Sequence, residues 1–431
     1  MTRTHRLLPL ALIALLGACD NESLNPPAED PDLVNALFAR YVAFGNSITA
    51  GFQSGGINDS TQERAYPVLL AAQMGTGFNV PLLNQPGCPP PFTNVFTQEV
   101  VGGPTAPPCA LRQADIPDYL NNVAYPGAEV LEAFTYFEPD INPSETDVYR
   151  TFLLGGLTSV EAARRVQPTF VSVWLGNNDV LGAILDEANP GDPDLVTNPV
   201  AFAAHFSDLM DSLDTFATIQ GGVAIGTVHA ALAPYLTQGR AWEVFESRYD
   251  LATQPLNALD VTNCISFIPI PGTNDTAWAS VPFAVGGPAL ALAQARVDSV
   301  LGGDLQPGDM QTVVIDCADD NRTVTAAEVL NMFSAVAQYN AVVEAEADER
   351  GWAYLDPNTL LGQLSADTTA LRRFPAFPGT AAPNITVNEP FGWALSLDGV
   401  HPSSQAHFLV AQALAQAINV TYGTNIPISI P

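Results

Sequence analysis

Apolar runs that alternate with helical stretches constrain this chain more than any other feature of its sequence. Tyr41 to Phe44, Phe170 to Leu175 and Val223 to Val228 are rich in β-branched or aromatic side chains, and each stops at a Gly or a His. The first reads as a buried strand and the other two as further β-rich runs, and the break after each predicts a turn at the strand's end. Tyr66 to Met74 follows the first run as a predicted helix with Pro67 in its first turn, and a helical stretch from Ala201 to Phe216 separates the second run from the third. Such alternation predicts a parallel sheet, because parallel neighbours need long crossovers. The clearest helix covers residues 326 to 349. Thr325 and Glu328 predict a capping box there, Val329, Met332, Phe333, Val336 and Val343 recur at helical spacing, and Gly351 closes the end. Ala353 to Leu355 reads as a further strand. A last helix, about 403 to 419, has Ser403 or Ser404 as N-cap and Val410, Leu414 and Ile418 on one face.

Two segments break this rhythm. Residues 76 to 120 are rich in Pro, Gly, Thr and Asn, and residues 236 to 311 mix loops with one helical piece around Ala289 to Leu301. Insertions this long inside a compact domain are usually functional coverings. The chain has 431 residues, 47% of them hydrophobic, enough for a sizeable core without metals or dense disulfides. Length alone would admit two or three domains of about 150 residues, but the order of the motifs below favours one.

The N-terminus reads as an export signal: Arg3 and Arg6 precede an apolar run, Leu7 to Leu16, too short to span a bilayer. Its end, Leu16-Gly17-Ala18-Cys19, resembles the lipobox of bacterial lipoproteins, which implies cleavage after residue 18, lipid on Cys19 and a place in the bacterial cell envelope, at the outer membrane or facing the periplasm. Residues 19 to 38, with their acids, Asn and paired prolines, suit a tether. Four cysteines then remain, and an even number in an exported chain predicts two disulfides. Sequence leaves the pairing open. Cys88 with Cys109 and Cys264 with Cys317 would each close a loop across one insertion. Of 15 basic residues two precede Cys19, so 45 acids leave the remainder at a net charge of −32, with no lysine. That balance opposes nucleic acid and bare anionic lipid, and leaves membrane contact to the lipid anchor. It says nothing of oligomeric state.

Four short blocks carry the chemistry. In Phe44-Gly45-Asn46-Ser47-Ile48-Thr49-Ala50-Gly51, Ser47 stands where a buried strand ends and a helix begins, at the sheet edge where such folds bind ligands. Alone it would serve equally as a helix cap. Asp398-Gly399-Val400-His401-Pro402 sets a carboxylate three residues before a histidine, the pairing that lets imidazole take a serine's proton. Gly176-Asn177-Asn178-Asp179 follows the strand 170 to 175, where an Asn amide can donate to a developing oxyanion. In Asn122-Val123-Ala124-Tyr125-Pro126-Gly127-Ala128, Gly127 can offer its N–H at close range.

In order and spacing class these blocks resemble those of the SGNH hydrolases, the GDSL-like lipases and esterases, over about residues 40 to 420. The resemblance implies a flavodoxin-like three-layer α/β/α sandwich with a central parallel sheet and long lid-like insertions, filling residues 39 to 431. It implies cleavage of small-molecule or lipid carboxylic esters, with Ser47 as nucleophile, His401 as base, Asp398 as its partner, and an oxyanion hole from the Ser47 N–H, Gly127 and Asn178. The segment Gly226 to Tyr235 resembles the strand and loop after the third block. Two departures stand out. Asn46 replaces the family's usual Asp, and the long interval after Ser47 makes Gly87 a rival of Gly127. His205 and His407 fall on predicted helices as structural residues, while His229 ends a strand and is a candidate for the cleft wall. No histidine pair at i, i+4 and no Cys/His cluster has zinc spacing, so neither metal nor cofactor is expected. Three alternatives remain: an α/β-hydrolase, which would want G-x-S-x-G; a carbohydrate O-acetylesterase on the same fold; and a surface binding lipoprotein on a retired hydrolase scaffold.

Overall fold

Four parallel strands lie side by side in chain order: β1 Tyr41–Gly45, β2 Phe170–Trp174, β3 Gly221–Ile225 and β4 Ala353–Leu355. They belong to a computed structural model that describes residues 34–115, 117–135, 145–253, 255–273, 275–319, 321–372 and 389–428. The export signal, Cys19 and most of the expected tether lie outside the described residues. Register sets Tyr41 opposite Phe170, Phe170 opposite Gly221, and Val223 opposite Ala353. On the free edge of β1 the Ala43 N–H donates to the Asn121 carbonyl (2.9 Å) and the Val123 N–H to the Ala43 carbonyl (3.0 Å). The segment around Asn122 therefore pairs in parallel as an outer rib. Counting it, the spatial order is the flavodoxin-like one, with the second element at the edge beside the first.

Alternate strand residues feed two cores. Val42, Phe44, Val171, Val173 and Ala224 point to one face, against helices α2 (Ser159–Val166), α3 (Asn178–Leu185), α4 (Pro199–Asp214) and α5 (Ala326–Glu349). Tyr41, Ala43, Phe170, Trp174, Val223 and Ile225 point to the other, against α1 (Tyr66–Met74) and α7 (Ser404–Tyr422). The result is a three-layer α/β/α sandwich. Every residue of β1, β2 and β3 is buried, which is why those runs lack polar alternation.

Caps fall where the sequence places them: Thr325 and Glu328 close a capping box on α5, and the Ser403 hydroxyl accepts the Ala406 N–H of α7 (3.2 Å). One boundary differs. β3 stops at Ile225 rather than running to Val228, because the next amides turn to side chains. Thr227 N–H donates to Asn340 Oδ1 (2.6 Å) and Val228 N–H to Asn177 Oδ1 (2.9 Å). Ladder partners are replaced by side chains that shape the sheet's upper edge.

The two expected disulfides are present and close the insertions, with the pairing that the sequence leaves open being Cys88 to Cys109 and Cys264 to Cys317. The first carries a short hairpin, Phe92–Asn94 with Glu99–Val100, and one 3-10 turn, Gly103–Thr105. The second is richer than loops with one helical piece and runs past residue 311. Helices Gly239–Thr253 and Phe283–Gly302 pack on two strand pairs, Leu236–Gln238 with Ser280–Pro282 and Leu259–Thr262 with Val313–Asp316. They bury a core of their own around Trp242, Phe245, Tyr249, Leu290, Val297 and Ile315. Trp242, Phe245 and Tyr249 fall on one helical face, a signal diluted in the sequence by the polar residues between them.

His407 lies wholly buried on the inner face of α7, its Nδ1 accepting the Tyr66 N–H (3.2 Å) that begins α1. Burial, and then the neighbouring His401, lower its pKa from 6.5 to about 3. The unfolded chain therefore binds a proton there before the folded one does, so stability falls as pH drops from 6.5 towards 3. Urea midpoints measured across that range should decline less steeply in His407→Asn, whose amide oxygen can still accept from Tyr66. Equal slopes in both proteins would contradict this origin of acid lability.

Candidate active site

The turn bearing Ser47 begins at Gly45, where a Cβ would lie 2.0 Å from Thr49 Oγ1, so only glycine permits the chain to fold back on itself. Asn46 then caps the short helix Ser47–Ala50, its Oδ1 accepting the Ile48 N–H at 3.4 Å. Thr49 anchors the turn from both ends: its hydroxyl bonds Tyr66 Oη (3.1 Å) and its carbonyl accepts the Asn122 amide (2.8 Å). Asn46 Nδ2 is buried without a hydrogen-bond partner. That orphan donor is the local consequence of Asn at this position, since a carboxylate would carry no such N–H.

Ser47 Oγ stands 2.9 Å from His401 Nε2, and His401 Nδ1 stands 2.9 Å from Asp398 Oδ2. Asp398 also receives the Gly55 N–H at Oδ2 (2.8 Å), and the Ser396 hydroxyl (3.0 Å), Val400 N–H and His401 N–H (both 2.9 Å) at Oδ1. Burial pushes its carboxyl up, but the His401 ring and the His401 and Val400 N–H groups outweigh burial and hold it at about 2. A carboxylate facing Nδ1 requires the proton on that nitrogen. In the neutral ring that leaves Nε2 bare, and the Ser47 hydroxyl can donate to it. Phe52 packs on the imidazole with ring centroids 4.9 Å apart.

Sequence reading missed the frame around this trio. Ser54 N–H donates to Ser396 Oγ (2.8 Å) and Leu397 N–H donates to Ser54 Oγ (3.1 Å). With Gly55 on Asp398, these bonds stitch the loop after Ser47 to the loop before His401. Ser396 lies two residues from Asp398, yet a lone serine in a loop gives no sequence signal for this role.

The Gly176 block meets the Gly127 block. Asn178 Nδ2 donates to the Ala128 carbonyl (2.9 Å), and Asp179 Oδ2 accepts the Val130 N–H (3.2 Å). Together they clamp the loop of Gly127, which takes a positive φ of 83° and is exposed. Gly87 sits elsewhere: a Cβ on it would meet the Ile57 carbonyl at 2.5 Å, beside the Cys88–Cys109 bridge. Asp179 is buried, and burial raises its pKa to about 6. Asn177, singled out only as part of the block, lines the pocket that holds Ser47. Its Oδ1 is taken by Val228 N–H, and its Nδ2 is buried without a partner. The ring of His229 packs on Phe333 with centroids 4.7 Å apart, and among the pocket-lining residues are its neighbours Val228 and Ala230 rather than His229. His205 lies on α4.

Among the described residues no group of three or more His, Cys, Asp or Glu is placed to hold a metal ion, and no helix is long and apolar enough to cross a membrane. No protein-family model matches the chain, and no curated protein matches it. Similar solved structures include a catalytic mutant of Axe2, an acetylxylan esterase from Geobacillus stearothermophilus, at 13% identity over 91% of this chain and 95% of that one, TM-score 0.34. An extracellular lipase from Streptomyces rimosus is 14% identical over 88% of this chain and 98% of its own, TM-score 0.35. LAE5, an α/β hydrolase from the metagenome of Lake Arreo, is 13% identical over 88% and 95%, TM-score 0.35. These likenesses are too weak to bear on activity.

Gly176 opens the third block at φ +104°, and a Cβ there would meet Thr227 Oγ1 at 2.4 Å. Gly176→Ala should lower the urea-unfolding free energy by about 1–3 kcal/mol. An unchanged midpoint would show that the turn tolerates a side chain.

Proposed function

We propose that this chain hydrolyses carboxylic esters through an acyl-enzyme, with Ser47, His401 and Asp398 as its triad. The observation that carries the reading is the unbroken chain of contacts from Ser47 Oγ to His401 Nε2 and from His401 Nδ1 to Asp398 Oδ2, each 2.9 Å. As the Ser47 oxygen attacks the ester carbonyl, His401 takes its proton, and the ionised Asp398 stabilises the imidazolium without accepting the proton itself. His401 then delivers that proton to the leaving alcohol. Water enters in its place and attacks the acyl carbon while His401 takes its proton; the bond to Ser47 Oγ then breaks, His401 returns the proton to that oxygen, and the acid is released. The Ser47 and Gly127 N–H groups and the Asn178 amide would hold the oxyanion, and the clamp between Asn178 and Ala128 supports this by keeping the two loops together.

The finer reading is an SGNH hydrolase occupying residues 39 to 431, with insertions that start near residues 76 and 236, secreted as a lipoprotein on Cys19. Two disulfides fit an oxidising compartment. Mass spectrometry of protein purified from membranes would test the anchor by finding diacylglycerol on an N-terminal Cys19.

Purified protein should hydrolyse p-nitrophenyl butyrate and take a fluorophosphonate label, and Ser47→Ala should lose both, with kcat down by at least about 10⁴. Asn178→Ala should lower kcat on the order of 10²–10³ with little change in KM. If wild type and Ser47→Ala are equally inert and neither is labelled, the reading fails.

A further inference from the structure

We propose that the pocket beside Ser47 holds the acyl chain of the ester, and that the substrates are esters of medium- or long-chain fatty acids rather than acetate. The inference rests on the ester hydrolase reading and names the substrate class of that same site.

Ser47 and His401 both lie on the wall of a pocket of about 110 Å³. That is room for several waters, more than the single methyl of an acetyl group fills. The rest of the lining is almost wholly hydrocarbon. Helix α6 (Pro357–Ser365) contributes Leu360, Leu361 and Leu364, and Leu181, Leu395 and Val410 come from three other parts of the chain. The three α6 leucines are only partly buried, although leucines in an amphipathic helix ordinarily finish their burial against the protein core. Leu360 and Leu364 pack in part on neighbouring apolar clusters, and the remaining surface of all three borders the cavity. Pro357 in the first turn and the Asp356 cap, whose carboxylate accepts the Asn358 N–H at 2.9 Å, fix the start of that helix.

The occupant must be apolar, because this lining offers almost no partners to a sugar hydroxyl or to ordered water. The acyl side is favoured over the alcohol side for a mechanistic reason. The alcohol has to leave and water has to replace it beside His401, which requires a route that water can wet. The acyl group stays bonded to Ser47 through both steps, so a dry pocket that opens on Ser47 suits it.

The test is a series of p-nitrophenyl esters from acetate to decanoate with the purified wild-type chain, together with Leu364→Trp and, separately, Leu361→Phe, both of which fill the pocket. Wild-type kcat/KM should rise by up to about fourfold per methylene over the early members, the value of one buried CH₂. Both variants should lower the octanoate-to-acetate ratio by tenfold or more while still taking a fluorophosphonate label, which shows that they fold with Ser47 reactive. A preference for acetate in wild type, or ratios unchanged in both labelled variants, would overturn the proposal and leave the ester hydrolase reading intact. A second series, acetate esters of lengthening alcohols, should give no comparable rise; a rise there alone would assign the pocket to the alcohol and contradict the acyl placement. Absence of hydrolysis and of labelling throughout would instead overturn the reading on which it rests.

Discussion

The carboxylate of Asp398 is the contact on which the arrangement at this sheet edge depends. Five donors converge on its two oxygens from two stretches of chain: Gly55, and the Ser396 to His401 turn with the imidazole itself. A buried anion is tolerable only when so surrounded, and here the surrounding groups also fix the positions of the parts that matter. The Gly55 bond ties the loop after Ser47 to the loop before His401, and the Nδ1 bond sets the tautomer that leaves Nε2 bare towards Ser47. Loss of that charge would remove both constraints together, one on the backbone and one on the proton.

The sandwich supplies the rest. Both faces of the sheet are covered, so strand ends rather than strand faces are where polar side chains can emerge. Ser47 leaves the end of β1 and Asn178 follows the end of β2, while the Gly127 loop continues the outer rib beside β1. After β3 the amides of Thr227 and Val228 turn to Asn340 and Asn177, which ends pairing and opens the edge. The same termination leaves room for the apolar pocket between that edge and α6.

Much of this was legible in the sequence where one physical rule dominated locally. Apolar runs that stop at turns marked the strands, Thr325 with Glu328 marked α5, and the turn blocks at Ser47, Gly176 and Asp398 were readable from residue type and spacing. What escaped were contacts between distant segments made by ordinary residues. Ser54 and Ser396 have no motif, Phe52 on the His401 ring is a plain aromatic, and the bond from Tyr66 to His407 joins a backbone N–H to a side chain far along the chain. In the second insertion only the helical piece around Ala289 to Leu301 is legible, because Trp242, Phe245 and Tyr249 share their helix with Arg, Glu and Asp. The pocket was equally hidden, since leucines at helical spacing on α6 look the same whether they pack on a core or border a cavity.

The account turns on Ser47 carrying the acyl group between two half-reactions. Mass spectrometry of the protein quenched in acid within milliseconds of mixing with excess activated ester tests this most directly. The account predicts a mass increase equal to one acyl group, located on the peptide that contains Ser47 and decaying as free acid appears. Turnover with no covalent adduct, or an adduct on another residue, would contradict it.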